Sequence, residues 1–97
     1  TAFETSGARV DALHARTLHN IGMCLYRLGR NADAMKFYTH CLAFSIQLSN
    51  RQGELIQAAA LNCLGVLYFH RHIKDGQKSL DLLKQSLAIY QNVSKGK

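Results

Sequence analysis

The chain has 97 residues, 47% of them hydrophobic, enough for one small domain with a modest core and too few for a catalytic cleft between subdomains. Proline is absent and glycine appears seven times, so long uninterrupted helices are allowed and a turn-rich β architecture is disfavoured. The formal charge of +6 at pH 7 points toward acidic partners or polyanions, and is equally the mark of a helical array with a solvated exterior.

Taken in order, residues 1–6 show no helical stripe of their own and are read as the tail of a preceding unit. From about residue 8 to 28, Val10, Leu13, Thr17, Leu18, Ile21, Leu25 and Leu28 recur at spacings of three and four, the pattern of one apolar helix face. Gly29 supplies the stop. A second helix is expected to start with Asn31 as its cap and Asp33 in its first turn. It buries Ala34, Phe37, Tyr38, Cys41, Leu42, Ser45 and Leu48. A two- or three-residue turn between the two helices forces an antiparallel hairpin.

Ser49 and Gln52 stand at capping-box spacing ahead of a third helix, about 53–70, with Leu55, Ala58, Leu61, Leu64, Gly65 and Tyr68 on one face. After a longer connection Asp75 caps a fourth helix reaching about Tyr90, with Leu80, Leu83, Leu87 and Tyr90 as its buried face. Residues 92–97 are polar and are expected to fray.

The third helix repeats the first. Leu18 and Leu61, Gly22 and Gly65, and Ala15 and Ala58 each stand 43 apart, while Leu42-Ala43 and Leu87-Ala88 stand 45 apart, so two residues are inserted in the second hairpin's turn. A fixed period of this length is the sign of a repeat array. The expected architecture is all-α: one domain of two antiparallel hairpins, repeat 1 about 8–49 and repeat 2 about 52–91.

The residues Leu18, Ile21, Gly22, Leu25, Gly29, Ala34, Tyr38 and Cys41, matched in the second unit by Leu61, Leu64, Gly65, Tyr68, Ser79, Leu83 and Ser86, resemble the tetratricopeptide repeat family. The long period is similar to that of G-protein-signalling modulators and kinesin light chains. The second unit departs from the family in carrying serine at its two small positions, and neither unit has a helix-stopping proline. The resemblance implies a short right-handed α-solenoid that binds a peptide or helix of a protein partner on its concave face. Carried over position by position, the groove residues are Arg16, His19, Asn20, Met23, Tyr26 and Arg27 from the first unit. The second unit supplies Asn62, Cys63, Val66, Phe69 and His70.

At the turns between first and second helices, Arg30, Arg71, His72 and Lys74 are expected to form a basic edge suited to an acidic segment. The alternative function is a basic helical-repeat nucleic-acid binder. That reading needs aromatics interleaved with cations along one face, and only Tyr26 and Phe69 offer them. The histidines are not at metal-ligand spacing, and no phosphate loop, acid/base dyad or activated nucleophile is recognisable. No enzyme activity, no metal and no cofactor is therefore expected.

Cys24, Cys41 and Cys63 are odd in number and read as small buried hydrophobes of a reducing compartment. No apolar run approaches the roughly eighteen residues that span a bilayer, and the N-terminus lacks a signal pattern. A soluble, intracellular, cytoplasmic chain is the expectation. Two hairpins fall short of the roughly three repeats that usually bury enough surface, and the terminal helix is rich in leucine. Self-association or further repeats should follow.

Overall fold

The computed structural model describes residues 2–48, 50–70 and 74–95, with side chains described from Val10 onward. They form four helices: α1 (Ala2–Arg27), α2 (Asn31–Ile46), α3 (Arg51–Phe69) and α4 (Gly76–Lys95). No strand occurs among the described residues. Each helix packs on its chain neighbours, α1 on α2, α2 on α3 and α3 on α4, with a small direct contact between α1 and α3. The result is a flattened body of 48 × 29 × 17 Å. This is the expected all-α stack of helical hairpins.

Each helix end has a local cause. Gly29 adopts φ +79°, the left-handed conformation that side-chain-bearing residues resist. Around it the Arg30 amide bonds to the Leu25 carbonyl at 2.9 Å and the Gly29 amide to the Tyr26 carbonyl at 3.0 Å, a Schellman stop. The α3 cap is Asn50, whose side-chain oxygen accepts from the Gly53 amide at 2.7 Å, and not the expected Ser49, which lies outside the described residues. Gly53 is itself dictated by this turn, because a Cβ there would collide with the Leu48 carbonyl. Asp75 caps α4 as expected, accepting from the Lys78 amide at 3.0 Å.

Four local expectations need correction. The first helix begins at Ala2, so residues 2–6 are helical and continuous with α1. The last helix runs on to Lys95, beyond Tyr90, so the polar stretch 92–95 stays helical. Asn31 does not cap α2: Arg30 occupies the cap position without a side-chain bond. The Asn31 amide nitrogen instead lies 3.3 Å from His70 Nδ1, drawn across to the other hairpin's turn.

The fourth correction concerns the core. Α1 buries Ala12, Ala15 and Gly22, with Leu18 and Leu25 half-buried, whereas Val10, Leu13, Thr17, Ile21 and Leu28 of the expected stripe are exposed. Likewise α4 buries Ser79 and Ser86, while Leu80, Leu87 and Tyr90 are exposed. The reason is visible in α3, which carries two buried stripes. Ala58, Leu61 and Gly65 face its hairpin partner α4, and Gly53, Ile56, Ala60, Leu64 and Leu67 face α2. Because α1 is a copy of α3, its sequence carries both stripes, but only the hairpin-facing one has a helix against it.

Small residues mark the hairpin crossings. A Cβ on Gly22 would stand 2.6 Å from Tyr38 Cε1, and one on Gly65 would stand 2.8 Å from Leu83 Cγ. In the second hairpin the Ser79 hydroxyl donates to the Gly65 carbonyl at 2.6 Å and the Ser86 hydroxyl to the Ala58 carbonyl at 2.7 Å. In the first hairpin the Cys41 thiol donates to the Ala15 carbonyl at 3.2 Å, the same link one repeat earlier. The serines therefore do more than fill a small-residue position, since each close crossing satisfies a buried hydroxyl that would otherwise cost stability.

Candidate functional site: the seam between α1 and α3

Because α1 and α3 are first helices of successive hairpins, their third faces, neither hairpin-facing nor stacking, open side by side. A cleft of about 230 Å³ lies there, lined by Met23, Tyr26 and Arg27 of α1, Asn62, Cys63 and Val66 of α3, and Tyr38 of α2 at its floor. A second cleft of about 240 Å³ continues along the same seam between Arg16 and His19 on one side and Gln52, Leu55, Ile56 and Ala59 on the other. Eight of the eleven expected groove residues thus come together as walls of one two-part seam.

The other three are placed differently. Asn20 is exposed and lines neither cleft. Phe69 stands 75% exposed at the end of α3. His70 closes the turn end, with its ring edge-on to Tyr26 at a centroid distance of 6.3 Å. Sequence reasoning missed Tyr38, assigned only to the core stripe, and Gln52, Leu55 and Ala59. The repeat register could have found Ala59, which stands 43 positions after Arg16.

Between the two clefts the seam is bridged by His19, whose Nε2 lies 3.3 Å from Cys63 Sγ and whose ring packs on Tyr38 at 5.8 Å between centroids. Burial pushes the Tyr38 phenol well above its ordinary range, and neighbouring Cys63 adds to the effect. Burial also raises the Cys63 thiol, partly offset by a hydrogen bond with Tyr38. The floor of the seam is therefore uncharged at neutral pH. Its charge comes from the rim, from Arg16 and Arg27.

The basic edge is only partly within view, since Arg71 and His72 lie outside the described residues. Arg30 pairs with Asp33 at 2.6 Å in an exposed i,i+3 bridge, a contact worth at most about 1 kcal/mol. Lys74 is exposed in the second turn with φ 51°. Lys78 holds its ammonium 4.8 Å above the Tyr68 ring. Among the described residues no three His, Cys, Asp or Glu side chains converge as metal ligands. No helix among them is long and apolar enough to cross a membrane.

The cysteines divide, contrary to the expectation that all three are buried: Cys24 is exposed, Cys63 half-buried and Cys41 buried. Cys24 occupies in α1 the position that buried Leu67 holds in α3, so it is exposed with the rest of the uncovered stripe. Burial raises the Cys41 thiol to about 11. At pH 8 that leaves on the order of one thiolate in a thousand. A pulse of iodoacetamide at pH 8 should alkylate Cys24 first, Cys63 slowly and Cys41 only on unfolding, read by mass spectrometry of the digested protein. Equal rates at Cys24 and Cys41 would contradict this packing.

With the hairpin crossings and the seam in place, the comparison with known families adds one finding: residues 14–52 match the tetratricopeptide repeat model. Over residues 14–52 the chain is similar to a tetratricopeptide repeat. The second hairpin lies beyond the matched residues and repeats the geometry of the first, with Gly65, Ser79 and Ser86 at the places of Gly22, Ala34 and Cys41. Tetratricopeptide repeats are in general protein–protein interaction modules and typically act as non-catalytic scaffolds. No curated protein and no solved structure matches the chain significantly.

Proposed function

We propose that this chain is a protein-interaction module that takes an extended or helical segment of an intracellular protein along the α1/α3 seam. The observation that carries the reading is the cleft of about 230 Å³ walled by Met23, Tyr26 and Val66, with Arg27 and Asn62 as polar groups beside an uncharged floor. Such a wall accepts an apolar anchor, and Arg27 favours an acidic group next to that anchor. The partner segment is therefore amphipathic, with a carboxylate close to a Leu- or Phe-sized side chain. Phe69, three positions after Val66 and 75% exposed, is a further apolar side chain available at the turn end of α3.

The test is selection of peptides from a displayed helical library against the folded chain, followed by calorimetric titration of the winners. Val66→Asp, or Tyr26→Ala with Phe69→Ala, should weaken binding at least tenfold, which is about 1.4 kcal/mol. Lys84→Ala on α4 should leave it unchanged. Equal affinity for the wild-type chain and a folded Val66→Asp variant rules the seam out as the binding site.

A further inference from the structure

The two outer described helices, α1 and α4, each carry an apolar stripe that none of the described residues covers. On α1 these are Val10, Leu13 and Ile21, 62%, 56% and 38% exposed. Forty-three positions later the same register holds Gly53, Ile56 and Leu64 of α3, all buried. On α4 the exposed residues are Leu80, Leu87 and Tyr90. Forty-five positions earlier the register holds Met35, Leu42 and Ser45 of α2, where Met35 and Leu42 pack against the buried clusters that α2 shares with α3 and Ser45 is itself buried.

The two uncovered faces are thus the two sides of a junction the molecule already contains. The outer stripe of α1 repeats the α3 side of the α2/α3 junction, and the outer stripe of α4 repeats the α2 side. Neither stripe carries a charge at these positions, and the one polar side chain of the α1 stripe, Thr17 at the register of Ala60, already donates to the Leu13 carbonyl, so burying one stripe against the other removes nonpolar surface from water without stranding a charge.

We propose that a second copy of this chain docks head to tail, the α1 stripe of one copy lying on the α4 stripe of the other in the antiparallel arrangement that α3 takes on α2. The contact joins two different surfaces, so each pairing leaves one free face of each kind. Association continues beyond the dimer.

Sedimentation equilibrium over a concentration series tests this with two surface variants, Leu13→Asp on the α1 stripe and Leu87→Asp on the α4 stripe. Both residues are more than half exposed, so each variant should keep wild-type helix content by circular dichroism. The wild-type chain should show a mass rising past the dimer with concentration. Each variant alone should be monomeric, and an equal mixture of the two should form a dimer and nothing larger, because the mixture retains one intact face of each kind. A wild-type chain that stays monomeric at the highest attainable concentration overturns the proposal. So does a single variant that still dimerises, which would mean like-with-like contact.

Discussion

Gly22→Ala lowers the stability of this chain by about 1–3 kcal/mol, although the same change in an isolated helix raises it by up to about 1 kcal/mol. The methyl group would stand 2.6 Å from Tyr38 Cε1 and 2.7 Å from Tyr38 Cδ1, well inside contact distance. The ring cannot swing away cheaply, because Tyr38 is 2% exposed and packs among Ala34, Leu64 and Leu67. The sign should reverse once the ring is gone: in a Tyr38→Val background, Gly22→Ala should stabilise by a few tenths to about 1 kcal/mol. Urea unfolding of the four proteins of this cycle measures both effects. A Gly22→Ala chain as stable as wild type would show that α1 and α2 cross less closely than described.

Leu67→Ala has the larger cost, about 2–5 kcal/mol, since Leu67 is fully buried where α2 and α3 meet and its removal leaves a cavity against Tyr38 and Leu64. Set against the roughly 5–15 kcal/mol that holds a typical domain folded, this is a large share of the total. For a domain of this size the midpoint of thermal unfolding should fall by at least about 8 °C. The neighbouring Val66→Ala removes methyl groups from a residue that is 41% exposed and should cost well under 1 kcal/mol. Similar shifts for the two variants would place Leu67 outside the core.

The contrast between Leu67 and Leu13 shows how much of this fold is legible in the residues. Both occupy the stacking face of a first helix, yet the periodicity puts Leu13 in the buried stripe and leaves Leu67 out of it. Leu67 is buried because α2 precedes α3, and Leu13 is exposed because no described helix lies on that side of α1. Periodicity reports which faces can be buried, not which have a neighbour. For the same reason the start of α2 was less legible than the stop of α1: Gly29 forces a left-handed turn wherever it stands, whereas Asn31 could cap or reach sideways, and contact with His70 in the other hairpin turned it sideways.

The groove was legible through the repeat register and the family pattern, which placed Met23, Tyr26, Arg27, Asn62 and Val66 on a common wall. Tyr38 was read as core alone because its spacing in α2 matches Ala34 and Cys41, and it is core. That its ring also forms the cleft floor follows from the close crossing at Gly22, a distance between helices that no spacing within one helix encodes.

By itself the sequence determined the four helices, their pairing into two hairpins and the glycine crossings, because 3.6-residue periodicity, turn glycines and an internal repeat are local properties of the chain. Only the tertiary structure decided which of two apolar stripes on α1 is core, which cysteine is exposed, and that Tyr38 and His19 shape the seam. Burial is a property of neighbours, and a helix at the end of a stack has one fewer than its sequence is built to meet.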